Sequence, residues 1–127
     1  MKCLNCKEPM VVLELNQVEV DYCLECGGIW LDGGELEILI EEPAEVKEML
    51  ADFAAGRETA PGSRKCPVCR KKMELVTIGE KEKVQIDRCG RHHGIWFDKN
   101  ELEEVIEIFD RNRNSKVHRL LKEMFNK

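Results

Sequence analysis

The chain has 127 residues and a formal net charge of -5. That length allows one ordinary domain. Divided between two repeats and a tail, it leaves no piece with a large core, so disulfides, a metal or a partner must stand in for one. The acid excess argues against strong non-specific binding to nucleic acid, and no segment approaches the roughly 20 apolar residues needed to cross a bilayer.

Seven cysteines decide how so small a chain is held together. The count is odd, so a full disulfide framework leaves one thiol over. Met1-Lys2-Cys3 does not look like a secretory signal, and the apolar run Met10 to Leu13 is too short for one. The expectation is a cytoplasmic protein with reduced thiols, no membrane segment, and paired cysteines that ligate metal. A redox dithiol is the alternative for any single Cys-x-x-Cys.

Residues 1–41 read as a first metal-built module. Cys3-x-x-Cys6 opens it. Met10 to Leu15 is apolar and Val18 to Tyr22 alternates with period two, with only Asn16-Gln17 between them, which predicts a β-hairpin. Its second strand runs into Cys23-x-x-Cys26, so both pairs lie at one end of the hairpin, where one ion can clip them. Gly27 supplies a positive φ just past the second pair. Asp32 then reads as a helix N-cap and Glu35 as its capping-box partner. Leu36, Leu39 and Ile40 give that helix a short apolar stripe.

Residues 42–63 read as a helix and linker. Pro43 suits a first helical turn. Val46, Met49, Leu50, Phe53 and Ala54 recur at helical spacing, and Gly56 ends the run. Arg57 to Lys65, with Thr59, Pro61, Gly62 and Ser63, reads as the connection.

Residues 64–110 repeat the pattern. Cys66-Pro-Val-Cys69 precedes strands over Met73 to Ile78 and Val84 to Arg88, joined by a longer turn from Gly79 to Lys83. Cys89 follows, and Asp98 and Glu101 repeat the capping pair before Leu102, Val105, Ile106 and Phe109. Residues 111–127 form a C-terminal amphipathic helix that starts at Ser115 and carries Val117, Leu120, Leu121, Met124 and Phe125. That face is covered either by the chain's own ribbons and middle helix or by a second copy, as a homodimer. His118 falls on the helix flank.

Structural zinc takes four ligands in a tetrahedron, usually thiolates with or without an imidazole. Cys3, Cys6, Cys23 and Cys26 supply one set. Cys66, Cys69 and Cys89 supply three of the other. His92 keeps the Cys-x-x-ligand spacing for the fourth place, and His93 is its competitor one residue on. Two zinc ions per chain then use every cysteine. Four ligands close each site, which argues for a non-catalytic role over a zinc or dithiol redox enzyme. Trp30 and Trp96, each four residues after the last ligand position, read as core indoles, with stacking on a base as the alternative. Arg64, Lys65, Arg70, Lys71, Lys72, Lys81, Lys83, Arg88 and Arg91 make the second repeat basic, as solvated faces or as a patch for a polyanion.

Cys3-x-x-Cys6, a hairpin, and Asp21-x-Cys23-x-x-Cys26-Gly27-Gly28-Ile29-Trp30-Leu31-Asp32-x-x-Glu35-Leu36 together resemble the transcription factor IIB-type zinc-ribbon family of small prokaryotic proteins. The likeness spans Cys3 to Leu36 and Cys66 to Leu102, two tandem copies. It implies zinc held by Cys3, Cys6, Cys23 and Cys26 and by Cys66, Cys69 and Cys89. The second copy departs from the family pattern in placing His92-His93 where Cys-Gly is usual. The expected fold class is a small metal-bound α+β protein: two zinc ribbons, each a β-hairpin plus helix, with a middle helix and a C-terminal helix. The expected function is a zinc-binding interaction module, for a protein partner or for nucleic acid in a transcription-associated role.

Overall fold

The computed structural model describes residues 1–15, 17–39, 59–78 and 84–109. The expected middle helix, the Gly79–Lys83 turn and the C-terminal helix lie outside the described residues, as does Asn16 of the first turn. The described elements are β1 (Val11–Leu15), β2 (Val18–Tyr22), β3 (Ile29–Asp32), α1 (Glu35–Leu39), β4 (Thr59–Lys65), β5 (Lys72–Ile78), β6 (Val84–Arg88), β7 (Gly94–Phe97) and α2 (Glu101–Phe109). Among the described residues no helix is long and apolar enough to cross a membrane.

The strands form one sheet in the order β1-β2-β3-β7-β6-β5-β4, with every neighbour antiparallel. The two hairpins follow the alternation of their side chains. Leu15 opposite Val18 closes the first over a two-residue turn, in which Gln17 takes a left-handed φ of 69°. Such turns match the right-handed twist of the strands they join.

The two ribbons are joined at the centre of this sheet. Strands β3 and β7 hold equivalent places in their repeats, and they pair with each other: Ile29 faces Phe97, Trp30 faces Trp96, Leu31 faces Ile95 and Asp32 faces Gly94. An approximate two-fold axis therefore passes between the tryptophans. Each indole lies over a glycine two residues before the other repeat's tryptophan. A Cβ on Gly28 would overlap the Trp96 ring, and a Cβ on Gly94 would overlap the Trp30 ring. Both tryptophans are fully buried.

Side chains alternate across a strand, and the sheet separates two clusters. Ile29, Leu31 and Phe97 face α1 and α2, where Leu36, Leu39, Leu102, Val105 and Ile106 complete one core. Trp30 and Trp96 face the other way and share a second core with Cys3, Cys23, Cys66, Met73 and Cys89. One face of the sheet is thus closed by helices. The other is closed by indoles and the cysteine turns.

Two expectations are corrected. The described residues are mostly antiparallel sheet with two short helices, not a helix-rich α+β arrangement of two separate ribbons. The stretch read as a linker is β4 from Thr59 onward, the edge strand along β5. Its Pro-Gly-Ser composition fits an edge strand, where Pro61 owes no ladder hydrogen bond and Gly62 marks an irregularity. The register shifts between Pro61 and Lys65. A Cβ on Gly62 would lie 2.6 Å from the Met73 carbonyl oxygen, so the backbone there runs too close for a side chain.

Gly94→Ala forces the Trp30 ring out of its place. It is expected to destabilise the zinc-loaded chain by about 1–3 kcal/mol, the usual range for overpacking, measured by denaturant unfolding. Alanine at the exposed Gly90 is the control, since it meets nothing closer than the Glu74 carboxylate at 3.6 Å.

Candidate metal centres

Four short turns carry the metal-ligating side chains, and three share one geometry. In Cys3-x-x-Cys6, Cys23-x-x-Cys26 and Cys66-x-x-Cys69 the residue after the second cysteine donates its amide to the first cysteine's carbonyl. The lengths are 3.0 Å for Lys7, 2.9 Å for Gly27 and 2.8 Å for Arg70. Those three residues are left-handed, with φ of 65°, 78° and 63°. Amides inside the turns point at sulfur: Asn5 to Cys3 Sγ at 3.3 Å, Val68 to Cys66 Sγ at 3.4 Å and Arg91 to Cys89 Sγ at 3.4 Å. Such donors favour the thiolate over the thiol.

The fourth turn closes one residue sooner. The His92 amide donates to the Cys89 carbonyl at 3.0 Å, and His92 itself holds the left-handed place, with φ 64°. His93 is therefore the next side chain to turn inward. Its carbonyl accepts the Gly33 amide at 2.9 Å, which ties this turn to the first repeat. A Cβ on Gly33 would overlap the His92 carbonyl oxygen.

The structure thus gathers two groups of four donors. Cys3, Cys6, Cys23 and Cys26 form one, and Cys66, Cys69, Cys89 and His93 form the other; within each, the ligand atoms lie within 4.8 Å of one another. The spacing argument favoured His92; the structure instead leaves His92 exposed and brings His93 to the sulfurs. An imidazole nitrogen sits farther from its Cβ than a thiol sulfur does, so the extra residue and the longer side chain offset each other.

The donor spacings fit zinc. Zn–S of about 2.3 Å and Zn–N of about 2.0–2.1 Å in a tetrahedron put two sulfurs roughly 3.8 Å apart and a sulfur and nitrogen roughly 3.6 Å apart. Cys3 Sγ to Cys26 Sγ is 3.5 Å and Cys69 Sγ to Cys89 Sγ is 3.8 Å. His93 Nδ1 lies 3.5 Å from Cys89 Sγ and 3.8 Å from Cys66 Sγ. Sulfurs so spaced are not bonded to one another, and all seven cysteines are free.

Close-packed thiols cannot all ionise alone. The hydrogen bond to Cys26, desolvation and the charge on Cys26 push the Cys6 thiol up to about 12. Burial opposes the Cys23 and Cys89 thiolates, but the turn amides outweigh it and lower both. A dication removes this conflict and displaces the protons.

Around the centres runs a polar frame that the sequence did not disclose. The Arg64 guanidinium donates to Asp87 Oδ1 at 2.9 Å, to both Asp98 oxygens at 2.9 and 3.0 Å, and from Nε to Asn5 Oδ1 at 2.9 Å. Asn5 returns a bond to Asp98 at 2.9 Å. The network links β4 to a metal-site turn of the first repeat. Asp87 is buried, and burial raises its carboxyl pKa although Arg64 pulls the other way. The one available signal was that aspartate stands two residues before both Cys23 and Cys89.

The paired Asp and Glu after each tryptophan also have a different division of labour from the capping box expected. Asp32 Oδ1 accepts the Trp30 indole N–H at 3.0 Å, and Asp98 Oδ1 accepts that of Trp96 at 3.1 Å. Glu35 and Glu101 accept the aspartate backbone N–H, each at 2.7 Å. The glutamate half of the box forms, while the aspartate side chain holds the indole.

Two four-donor groups on hairpin ends, one of four thiols and one of three thiols and an imidazole, define a zinc-ribbon protein with two centres. A family model described as transcription factor zinc-finger matches residues 2–42 and 65–108. The chain belongs to this transcription factor IIB-type zinc-ribbon family, as two tandem copies. No curated protein and no solved structure matches the chain.

Chelation of the metal is expected to abolish the sheet signal in circular dichroism, and two equivalents of zinc to restore it, because binding energy at such sites is folding energy. His93→Ala should lower bound zinc to about one per chain by metal analysis, with His92→Ala retaining two; this assigns the fourth donor. Arg64→Leu leaves Asp87 buried without its cation and is expected to cost about 3 kcal/mol by denaturant unfolding, with Arg70→Leu nearly neutral.

Proposed function

We propose that the protein is a non-catalytic zinc-ribbon adaptor that acts by binding another protein in the cytoplasm. Zinc is held by Cys3, Cys6, Cys23 and Cys26 and by Cys66, Cys69, Cys89 and His93. Each centre has four protein donors, whereas a catalytic zinc keeps a position for water or substrate. The free thiols suit a reducing compartment.

The observation that carries the choice of partner is the disposition of charge. Arg64 and Arg88 contribute to the basic character of the second repeat, yet they face Asp87, Asp98 and Glu74. The first repeat exposes Glu8, Glu14, Glu19, Glu25 and Asp32. A surface of this kind repels a polyanion along half its length and suits a partner of mixed charge. The four-thiolate centre adds to it, because four thiolates and Zn²⁺ carry a net double negative charge.

Nucleic-acid binding is the second reading. It is favoured by Lys65, Arg70, Lys71, Lys72 and Arg91, all exposed around the second centre, where the imidazole also leaves a less negative site. Affinity purification separates the two. With zinc-loaded chain as bait, the adaptor reading expects a protein partner that survives nuclease digestion and is lost when zinc is stripped. Loss of the partner on nuclease digestion, with oligonucleotide binding that falls steeply with salt, would overturn it.

A further inference from the structure

The two repeats differ at their outer edges. In the second, β4 covers β5, with Ala60 opposite Leu75 and Pro61 opposite Glu74. In the first, β1 is the end of the sheet, and no described strand lies beyond it. The repeats stay in step up to that point: Lys2 bridges Pro9 as Lys65 opposes Lys72. Val11 to Leu13 is thus the counterpart of the edge that β4 covers. Val12 there is 61% exposed.

The acid pair differs in the same way. Asp21 and Asp32 occupy in the first repeat the places of Asp87 and Asp98. Asp21 lies opposite Trp30 as Asp87 lies opposite Trp96, and Asp32 accepts the indole as Asp98 does. In the second repeat the pair holds a guanidinium at 2.9–3.0 Å. In the first, no described side chain forms an ion pair with either aspartate. Burial raises the Asp21 carboxyl pKa, with the charge of the amino terminus pulling the other way.

We infer that the outer edge of β1 takes up an extended, arginine-bearing segment of a partner protein as an added strand, with a guanidinium seated on Asp21 and Asp32. The inference rests on the adaptor reading. An edge that no described strand covers offers backbone donors and acceptors to an incoming strand. The planar fork of arginine suits two carboxylates better than an ammonium does. The second repeat carries such an arrangement, with β4 as the strand and Arg64 as the cation; in the first, Met1 stands at the place of Arg64, bonded through its carbonyl to the Met10 amide at 2.9 Å, and the added strand lies beyond it along Val11–Leu13. A second copy pairing through its own β1, Val-Val-Leu-Glu-Leu, would bring no cation to these carboxylates. Phosphate is repelled by the carboxylates.

The probe is a fluorescein-labelled nonapeptide of alternating valine and arginine, titrated into the zinc-loaded full chain and read by anisotropy. Binding is expected with a Kd on the order of 10 µM. Replacing the arginines by citrulline, or N-methylating alternate valines to remove strand donors, should each weaken it at least about tenfold, a difference near 1.4 kcal/mol. Asp21→Asn with Asp32→Asn should do the same; asparagine keeps an acceptor for the Trp30 indole, and unchanged circular dichroism verifies the fold. Amide chemical shifts should move along Val11–Leu15 and not along Thr59–Lys65. Equal binding of the citrulline or N-methylated peptide, an unaffected double variant, or shifts on β4 would overturn the inference. So would absence of binding, and a nuclease-resistant partner in the purification above would still leave the adaptor reading standing.

Discussion

The contact on which this fold depends is the exchange of indoles across its centre. Trp30 lies over Gly94 and Trp96 over Gly28, and the strands that carry them pair residue for residue. Neither repeat can bury its own tryptophan in this way, because the glycine beneath each ring belongs to the other copy. The exchange turns two metal-clipped hairpins into one sheet with two closed faces. It also explains the glycine two residues before each tryptophan, where any Cβ would occupy the space of a ring.

The metal centres stand at the ends of that arrangement, and they complete the tryptophan face of the sheet. Cys3, Cys23, Cys66 and Cys89 are buried with the indoles in one cluster. A chain this short has few large side chains to spare for a second core. Eight donors around two ions replace it, with an energy per structural zinc of roughly 10–16 kcal/mol in zinc-finger peptides. Arg64 and Asn5 then tie the edge strand of one repeat to a metal-site turn of the other. Each centre has four protein donors, and the described surface differs between the halves, acidic along the first repeat and basic around the second centre.

Much of this was legible in the residues. The period-two runs Val18 to Tyr22 and Val84 to Arg88 and the paired cysteines on either side of each hairpin gave four strands and seven donors. What escaped depended on distant parts of the chain. Ile29–Asp32 and Gly94–Phe97 are four residues each, too short to declare themselves, and their partner is the other repeat. Thr59–Lys65 carries the proline, glycine and serine of a linker, and it becomes a strand because β5 supplies the ladder and Gly62 fits against Met73. His92 has the spacing of a ligand, yet the left-handed turn assigns it to solvent and passes the task to His93. The roles of Asp32 and Asp98 depend on where an indole nitrogen lands, which no local pattern specifies.

If the exchanged indoles bind the repeats into one cooperative unit, damage at one centre must reach the other. The direct measurement is amide hydrogen exchange of the second repeat in a zinc-loaded Cys23→Ser chain, with the first centre disabled. The account predicts that protection along β6 and β7 falls strongly, although Cys66, Cys69, Cys89 and His93 still hold zinc. Protection there equal to that of the unaltered chain would mean that the ribbons fold independently, and would contradict the account.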